Sequence, residues 1–143
     1  MLELSAKLEY SLLALIELCK HYETRKTIGT KEIAHSQNIP DRYLDQILAE
    51  LKRSGIVDSF RGAKGGHRLN RSSKEITLAE IIRGLEPEKR RTLRTESSAS
   101  RKAVLSLWQK VKEEVESSLT NVTLEDFYRH SQSLEQSPPM YYI

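Results

Sequence analysis

The stretch RGAKGG, residues 61–66, combines three glycines with two cations. The glycines allow positive φ and a close approach to another backbone, while Arg61, Lys64 and the nearby Arg68 bring positive charge to a narrow tip. An arginine on such a tip suits the narrow minor groove of DNA, where the negative potential is strongest. The alternative for a short charged stretch of this kind is a solvated surface loop.

Enzymatic chemistry is not indicated by the residue pattern. A nucleotide phosphate loop requires Gly-Lys-Ser/Thr between a strand and a helix, and no Gly-Lys-Ser/Thr occurs in this sequence. Paired carboxylates, a His–Cys or Ser–His arrangement and metal-ligand spacing do not stand out, and the four histidines are scattered. We therefore expect a binding protein and not an enzyme.

A second set of polar residues lies on the strongest predicted helix, PDRYLDQILAELKRSG, which begins at Pro40 and ends at Gly55. Its apolar residues recur at i, i+3, i+4 and i+7: Leu44, Ile47, Leu48 and Leu51. Its first turns contain Arg42, Tyr43, Asp45 and Gln46. Arginine and glutamine can pair with purines, and aspartate can accept from the cytosine amino group. Taken alone, this helix favours the alternative of an ordinary solvated surface, and the basic hairpin shifts the interpretation toward DNA.

The elements around these residues follow a definite order. A helix is predicted from Ser5 to about Tyr22, a short helix runs through Gln37, the strong helix follows, and IVDSF and HRL can pair as a hairpin. A capping box at Thr77–Glu80 begins another helix. This order predicts a mainly α fold with a small β-hairpin, a winged helix-turn-helix spanning residues 1–85.

The rest of the chain is predicted to be an appendage. Residues 86–101 contain one leucine and no other large apolar residue, which indicates a flexible linker. Residues 102–135 are predicted to form a long helix and a following short helix, and 136–143 a tail. One face of the long helix is apolar: Val104, Leu107, Trp108, Val111, Val115 and Leu119. Pairing with a second copy would bury this face; the alternative is packing on its own winged domain.

Composition limits the setting. The net charge is only +3, so the position of the charges is more informative than their sum. One cysteine, Cys19, permits no internal disulfide and suits a reducing compartment. No apolar stretch approaches the roughly 20 residues of a membrane span. We expect a cytoplasmic protein without a membrane partner.

Three segments together are similar to a known family: TKEIA, IPDRYLDQILAELKRSGIVDSFRGAKGGHRL and EITLAEIIRGLE. They resemble the Rrf-type family of bacterial winged-helix transcription regulators, which includes the iron–sulfur cluster regulator, the nitric-oxide-sensing repressor and the cysteine-metabolism repressor. The resemblance implies a homodimer whose long helix is the dimer element. It also implies two winged domains bound to a roughly palindromic operator in double-stranded DNA.

One departure from the family concerns its cofactor. Cluster-binding relatives have three cysteines before the dimer helix, whereas residues 85–101 of this chain have none. We predict no cofactor and no metal site, and Cys19 is expected to be a buried thiol. An unusual site in which Glu9, His21 or His35 joins Cys19 across the dimer stays open as an alternative.

The combined interpretation is a sequence-specific, DNA-binding transcriptional regulator, a repressor acting as a homodimer. Base contacts are expected from Arg42, Tyr43, Asp45 and Gln46, and backbone or minor-groove contacts from Arg61, Gly62, Lys64 and Arg68. The alternatives are a redox- or metal-responsive sensor with an unusual iron–sulfur site, and a protein-interaction module with a winged-helix fold. A single-strand or RNA binder ranks last, because only Tyr43 and Phe60 could stack bases near the basic surface.

Overall fold

The computed structural model describes residues 3–85 and 98–136. Its elements are α1 (Ala6–Cys19), α2 (Thr30–Gln37), α3 (Asp41–Arg53), β1 (Val57–Phe60), β2 (Gly66–Leu69), a 3-10 turn (Ser73–Glu75), α4 (Leu78–Leu85), α5 (Ala99–Asn121) and α6 (Leu124–Gln136). The mainly α fold with one antiparallel hairpin is therefore confirmed.

Helices α1 to α3 surround one apolar core. Ser5 begins α1, because its Oγ accepts a hydrogen bond from the Leu8 amide at 3.1 Å. Leu15 of α1, Ile33 of α2 and Leu44 of α3 are fully buried together. Asn38 ends α2 in the left-handed conformation, at φ 53°. Its backbone turns the chain into α3, and the two helices form the helix-turn-helix.

The hairpin is joined by a third extended segment. Strands β1 and β2 pair antiparallel with Val57 opposite Leu69 and Ser59 opposite His67. Ile28 lies on the other edge of β2 and exchanges two backbone hydrogen bonds with His67, at 2.8 and 2.9 Å. The loop between α1 and α2 is thereby tied to the hairpin. The sequence interpretation had treated this loop only as an interruption between helices.

Helix α6 packs on α1 and not along α5. Leu124 is fully buried in the core described above, and its amide donates to the Ile76 carbonyl at 2.9 Å. Thr123 and Asp126 cap the start of this helix reciprocally. The Thr123 amide donates to the Asp126 Oδ2 at 2.9 Å, and the Asp126 amide donates to the Thr123 Oγ1 at 3.3 Å. Residues 102–135, predicted to form a long helix and a following short helix, therefore divide between α5, which contacts α4, and α6, which completes the core of the winged domain.

The boundaries near the expected linker also differ. Helix α5 begins at Ala99 and not at 102, because the Ser98 Oγ caps it by accepting from the Arg101 amide at 3.2 Å. Of the linker predicted at 86–101, residues 86–97 lie outside the described residues, as do residues 137–143 of the predicted tail. Among the described helices, none has the length and apolarity needed to cross a membrane.

Candidate nucleic-acid interface

Helix α3 has one buried and one exposed face. Leu44, Ile47 and Leu51 are at most 1% exposed, and their burial fixes the rotation of the helix. Arg42 and Gln46 are exposed on the outer face and form no hydrogen bond with another described side chain. Their donors are therefore available to a partner molecule.

Tyr43 differs from the other predicted base contacts. Its ring packs against Tyr10 of α1, with the ring centroids 5.8 Å apart and the planes at 57°. It is 51% exposed, at the border between the outer face of α3 and helix α1. The structure thus places Arg42, Asp45 and Gln46 on one face and Tyr43 beside it.

An ion pair sets the position of α3 relative to its neighbours. Lys7 of α1 lies 2.8 Å from the Glu50 carboxylate of α3 and also donates to the Leu85 carbonyl of α4 at 3.1 Å. Both side chains are at most one-third exposed, so water screens the pair only partly. One ammonium group therefore joins three helices behind the exposed face of α3.

His67 connects the hairpin to the helix-turn-helix. Its Nδ1 lies 2.7 Å from the Ser59 Oγ and its Nε2 lies 3.0 Å from the Thr30 Oγ1 at the start of α2. Burial lowers the pKa of His67, although the Asp45 carboxylate raises it, and Lys52 lowers it further. The imidazole is thus a neutral scaffold group at neutral pH, with both ring nitrogens occupied.

The wing, residues 57–69, ends in a tip that is held and not loose. The Thr27 Oγ1 donates toward the Lys64 and Gly65 carbonyls, at 2.9 and 3.2 Å. A Cβ on Gly65 would lie 2.5 Å from the Phe60 carbonyl oxygen, so only glycine fits there. As expected from the sequence, Gly62 and Gly66 adopt positive φ, and Gly65 permits the close packing of a compact turn.

The cations of the wing are presented unequally. Arg61 and Lys64 are exposed at the tip and form no ion pair with a described residue. Arg68 is half-buried, with its guanidinium 4.7 Å from the centroid of the Phe60 ring. Arg71, which the sequence places in the same basic run, pairs instead with Glu80 of α4 and is neutralised there.

The wing base and the exposed face of α3 are adjacent. Asp45 and Lys52, both exposed on α3, act electrostatically on His67 of β2. Strand β1 also packs directly on α3. The two predicted contact surfaces therefore lie together, as a protein that contacts neighbouring DNA grooves requires.

The apolar face of α5 is left open. Within the described part of the chain, no residue of α5 is buried, and Leu107 and Trp108 are 64% and 67% exposed. Val104, Val111 and Val115 are also exposed, and Leu119 is half-buried. The Arg83–Glu116 ion pair at 3.0 Å links α5 to α4 without covering this face. The alternative considered from the sequence was that this stripe packs on its own winged domain. In the structure the stripe does not pack there, because none of its residues is buried.

Three positioning residues went unrecognised in the sequence: Thr27, Ile28 and Thr30. Ile28 is fully buried and pairs with β2, while the two threonines bond the wing tip and His67. A signal was present, because the β-branched pair Thr27–Ile28 directly before Gly29 is typical of a short strand. Its partner strand lies about 40 residues later, a distance that local patterns do not reveal.

A helix-turn-helix with an adjoining basic wing defines the class of winged-helix regulators. The family described as Rrf2, iron-dependent transcriptional regulator, matches residues 4–130. This chain therefore belongs to the Rrf2 family, and the predicted resemblance and winged-helix fold are confirmed. The family assignment also supports a transcription regulator that binds DNA.

Individual relatives agree with this assignment. The chain is 35% identical over 144 residues to the HTH-type transcriptional regulator CymR of Bacillus subtilis (strain 168), covering 99% of this chain and all of CymR. The structure of T. potens IscR aligns with a TM-score of 0.74 at 32% identity, over 96% of this chain and 94% of that one. The structure of CymR, the global cysteine regulator of B. subtilis, aligns with a TM-score of 0.72 at 34% identity. The alignment covers 91% of this chain and 98% of that one.

The residues of this chain do not fit the iron implied by the family description. The sequence has one cysteine, and residues 86–97 contain neither cysteine nor histidine. Cys19 is 6% exposed, and burial together with the charge of Glu125 raises the pKa of its thiol to about 12. In the described ranges, no three His, Cys, Asp or Glu side chains gather as a metal site. Within one chain, His21 faces Glu17 at 3.8 Å, and Glu9 and His35 are exposed.

Proposed function

We propose that this protein is a cytoplasmic, homodimeric repressor that binds a palindromic operator sequence-specifically. The observation that supports this most directly is the packing of strand β1 of the wing on α3, with His67 of β2 also bonded to Thr30 at the start of α2. A helix in the major groove and a wing beside it would contact one duplex from the same side.

The exposed face of α3 and the wing have different roles in binding DNA. Arg42, Asp45 and Gln46 supply hydrogen-bonding groups that distinguish base edges, whereas Tyr43, which leans on Tyr10, contacts DNA from the border of this face. The second surface consists of the wing residues Arg61, Gly62, Lys64 and Arg68. It contacts phosphates and the minor groove, where the exposed cations contribute affinity without sequence preference.

The apolar face of α5 provides the argument for a homodimer. An amphipathic helix of 23 residues must bury its stripe to repay the cost of ordering, and this chain leaves the stripe exposed. A second copy presents the same face, so a two-fold pairing buries both at once. We infer that Val104, Leu107, Trp108, Val111, Val115 and Leu119 form this interface.

Two-fold symmetry then determines the form of the operator. Two α3 helices related by a dyad would contact half-sites about one or more helical turns apart, roughly 34 Å each. A dimer that occupies consecutive grooves excludes other proteins from the same DNA. Repression follows wherever the operator overlaps a promoter.

The test is a selection of bound fragments from genomic DNA by the full-length protein, with and without oxygen. We expect one inverted repeat under both conditions, and binding that weakens as salt rises because cations meet phosphates. An asymmetric motif would contradict the palindrome. Absence of salt-dependent duplex binding would favour the protein-interaction module, and oxygen-dependent binding the redox sensor.

A further inference from the structure

A cavity of about 400 Å³ lies between the loop that joins α1 to α2 and the outer surface of the wing. Glu23 and Arg25 line it from the loop, and Asp58 and Arg68 line it from β1 and β2. Tyr22 adds an aromatic wall. The cavity is partly open to solvent, and its volume lies in the range of about 300–1,000 Å³ that small-molecule sites have.

The four charged side chains do not neutralise one another. Among the described residues, none of Glu23, Arg25, Asp58 and Arg68 forms an ion pair. Asp58 and Arg68 are directly opposite across the strands, yet Asp58 accepts from the Asn70 amide at 3.0 Å and Arg68 lies over the Phe60 ring. Both signs of charge thus face one cavity separately. A ligand of a single sign would meet like charge there, whereas a ligand with both signs would not.

Arg25 also has an unfavourable backbone. Its φ of 54° lies in the left-handed region, which residues other than glycine, asparagine and aspartate rarely adopt. Local hydrogen bonds hold the turn, from the Arg25 amide to the Tyr22 carbonyl at 3.1 Å and from Thr24 Oγ1 to the His21 carbonyl at 3.0 Å. Strain at an exposed cation with no partner among the described residues is a sign of function.

We propose that this cavity binds a small zwitterion with the chemistry of a free α-amino acid. Its carboxylate would bind between Arg25 and Arg68, and its ammonium group between Glu23 and Asp58. Tyr22 and the buried Leu69 would contact the ligand side chain. Hydrogen bonds between two charged groups are among the stronger hydrogen bonds of proteins.

Occupancy would change DNA binding, a consequence that rests on the proposed function. Arg68 lines the cavity and is also one of the proposed contacts to DNA. A ligand carboxylate would neutralise this guanidinium and hold it away from phosphate. The zwitterion therefore acts as an effector that weakens operator binding.

The first experiment is calorimetric titration of the full-length protein, without DNA, with each common L-amino acid at millimolar concentration. Binding amino acids are then compared with their carboxamides and their N-acetyl derivatives, which each lack one charge. We expect either change to weaken binding by at least about tenfold, because it leaves two charged groups of the site unpaired. Failure of every amino acid to bind, or equal binding of the capped forms, overturns the proposal.

Substitutions locate the site. Arg25→Gln and Asp58→Asn should each lose binding, while Lys26→Gln, an exposed neighbour outside the cavity lining, should retain it. Arg25→Gly should lose binding yet melt no lower than the wild type, because glycine relieves the positive φ. Retained binding in both Arg25 variants and in Asp58→Asn contradicts the assignment.

A last measurement separates this site from the proposed function. The binding amino acid should lower operator affinity in wild type and have no effect in Asp58→Asn. Unchanged operator affinity at saturating ligand would overturn the effector role and leave the binding site standing. If the protein binds no DNA, the proposed function fails while the titration still decides the site. If Arg25→Gln weakens DNA binding and no amino acid binds, Arg25 is a DNA contact.

Discussion

The winged domain and helix α5 use their apolar side chains in opposite ways. In the winged domain, Leu15, Leu44 and Ile56 are fully buried in one shared core. In α5, Val104 and Trp108 are 68% and 67% exposed. The first region buries its apolar side chains within one chain, whereas the second has an apolar surface that the described residues leave exposed.

Apolar residues in these two regions are therefore expected to respond differently to substitution. A core position is constrained by neighbours of the same chain, so its substitution changes stability. If a second copy covers the α5 stripe, as we propose, substitution of a stripe residue changes assembly and not the stability of the winged domain. The predictions below test this distinction, from the largest expected effect to the smallest.

Leu44→Ala should lower the free energy of unfolding by about 2–5 kcal/mol, because it leaves a cavity at a fully buried site. The matched variant Leu107→Ala removes the same atoms from a side chain that is 64% exposed. Denaturant unfolding at several protein concentrations should show a loss for Leu107→Ala only where dimers form. Equal losses for both at all concentrations would contradict the contrast between the regions.

Trp108→Glu should convert the protein to a monomer, because it places a carboxylate in the centre of the proposed interface. The expected cost to association is about 2–4 kcal/mol, the size of an interface hot spot. Sedimentation or light scattering measures it, with far-ultraviolet circular dichroism to show that the winged domain is folded. Ser106→Glu, on the opposite face of α5, is the control and should stay dimeric. A dimeric Trp108→Glu would refute this interface.

Arg42→Ala should reduce the discrimination between the operator and a mutated operator by about 1–3 kcal/mol, because a paired contact with a base is lost. Fluorescence anisotropy with both duplexes at one salt concentration measures it. Tyr43→Phe is the comparison, since its ring stays packed on Tyr10. A uniform loss on both duplexes would assign Arg42 to the phosphate backbone.

Lys64→Ala should weaken binding to all duplexes similarly and flatten the dependence of log K on log salt by about one unit. The exposed tip cation releases a counterion when it meets phosphate. Lys112→Ala on α5 is the matched control, and its salt slope should equal that of the wild type. An unchanged slope in Lys64→Ala would remove the tip from the interface.

Glu17→Gln should change the free energy of unfolding least among these variants, and the size of this change should depend on pH. Burial alone raises the pKa of Glu17, but hydrogen bonds from Gln37, Lys20 and Ser36 outweigh it, so the pKa lies below its ordinary value of 4.5. A lowered folded-state pKa stabilises the protein above 4.5, and this contribution is lost as the pH falls through the folded value. The difference in the free energy of unfolding between wild type and Glu17→Gln should therefore become smaller as the pH falls below 7. Denaturant unfolding of both proteins at several pH values measures this difference, and a difference that is constant with pH would contradict the prediction.

Local patterns in the sequence were sufficient for most elements. The Leu44–Leu51 spacing predicted α3 and its exposed face, and the capping box at Thr77–Glu80 predicted the start of α4. Periodicity works here because each helix buries one stripe and the remaining residues are exposed. The same logic identified the α5 stripe, whose exposure the structure then established.

Long-range contacts explain what the sequence interpretation missed. Ile28 pairs with His67, Thr27 bonds Lys64, and Leu124 enters the core of the winged domain from beyond α5. Each contact joins residues far apart in the chain, and no spacing rule connects them. Arg71 is a further case, because the carboxylate that pairs with it, Glu80, lies on a different element, helix α4.

The sequence by itself determined which residues are apolar at which spacing, and hence the helices, the hairpin and the one thiol that cannot supply a three-cysteine cluster. Tertiary structure alone decided which charges remain available, because neutralisation depends on distance in space. Among the described residues, Arg61, Lys64 and the four charged side chains of the cavity form no ion pair. Lys7 and Arg71, by contrast, are paired with the carboxylates of Glu50 and Glu80.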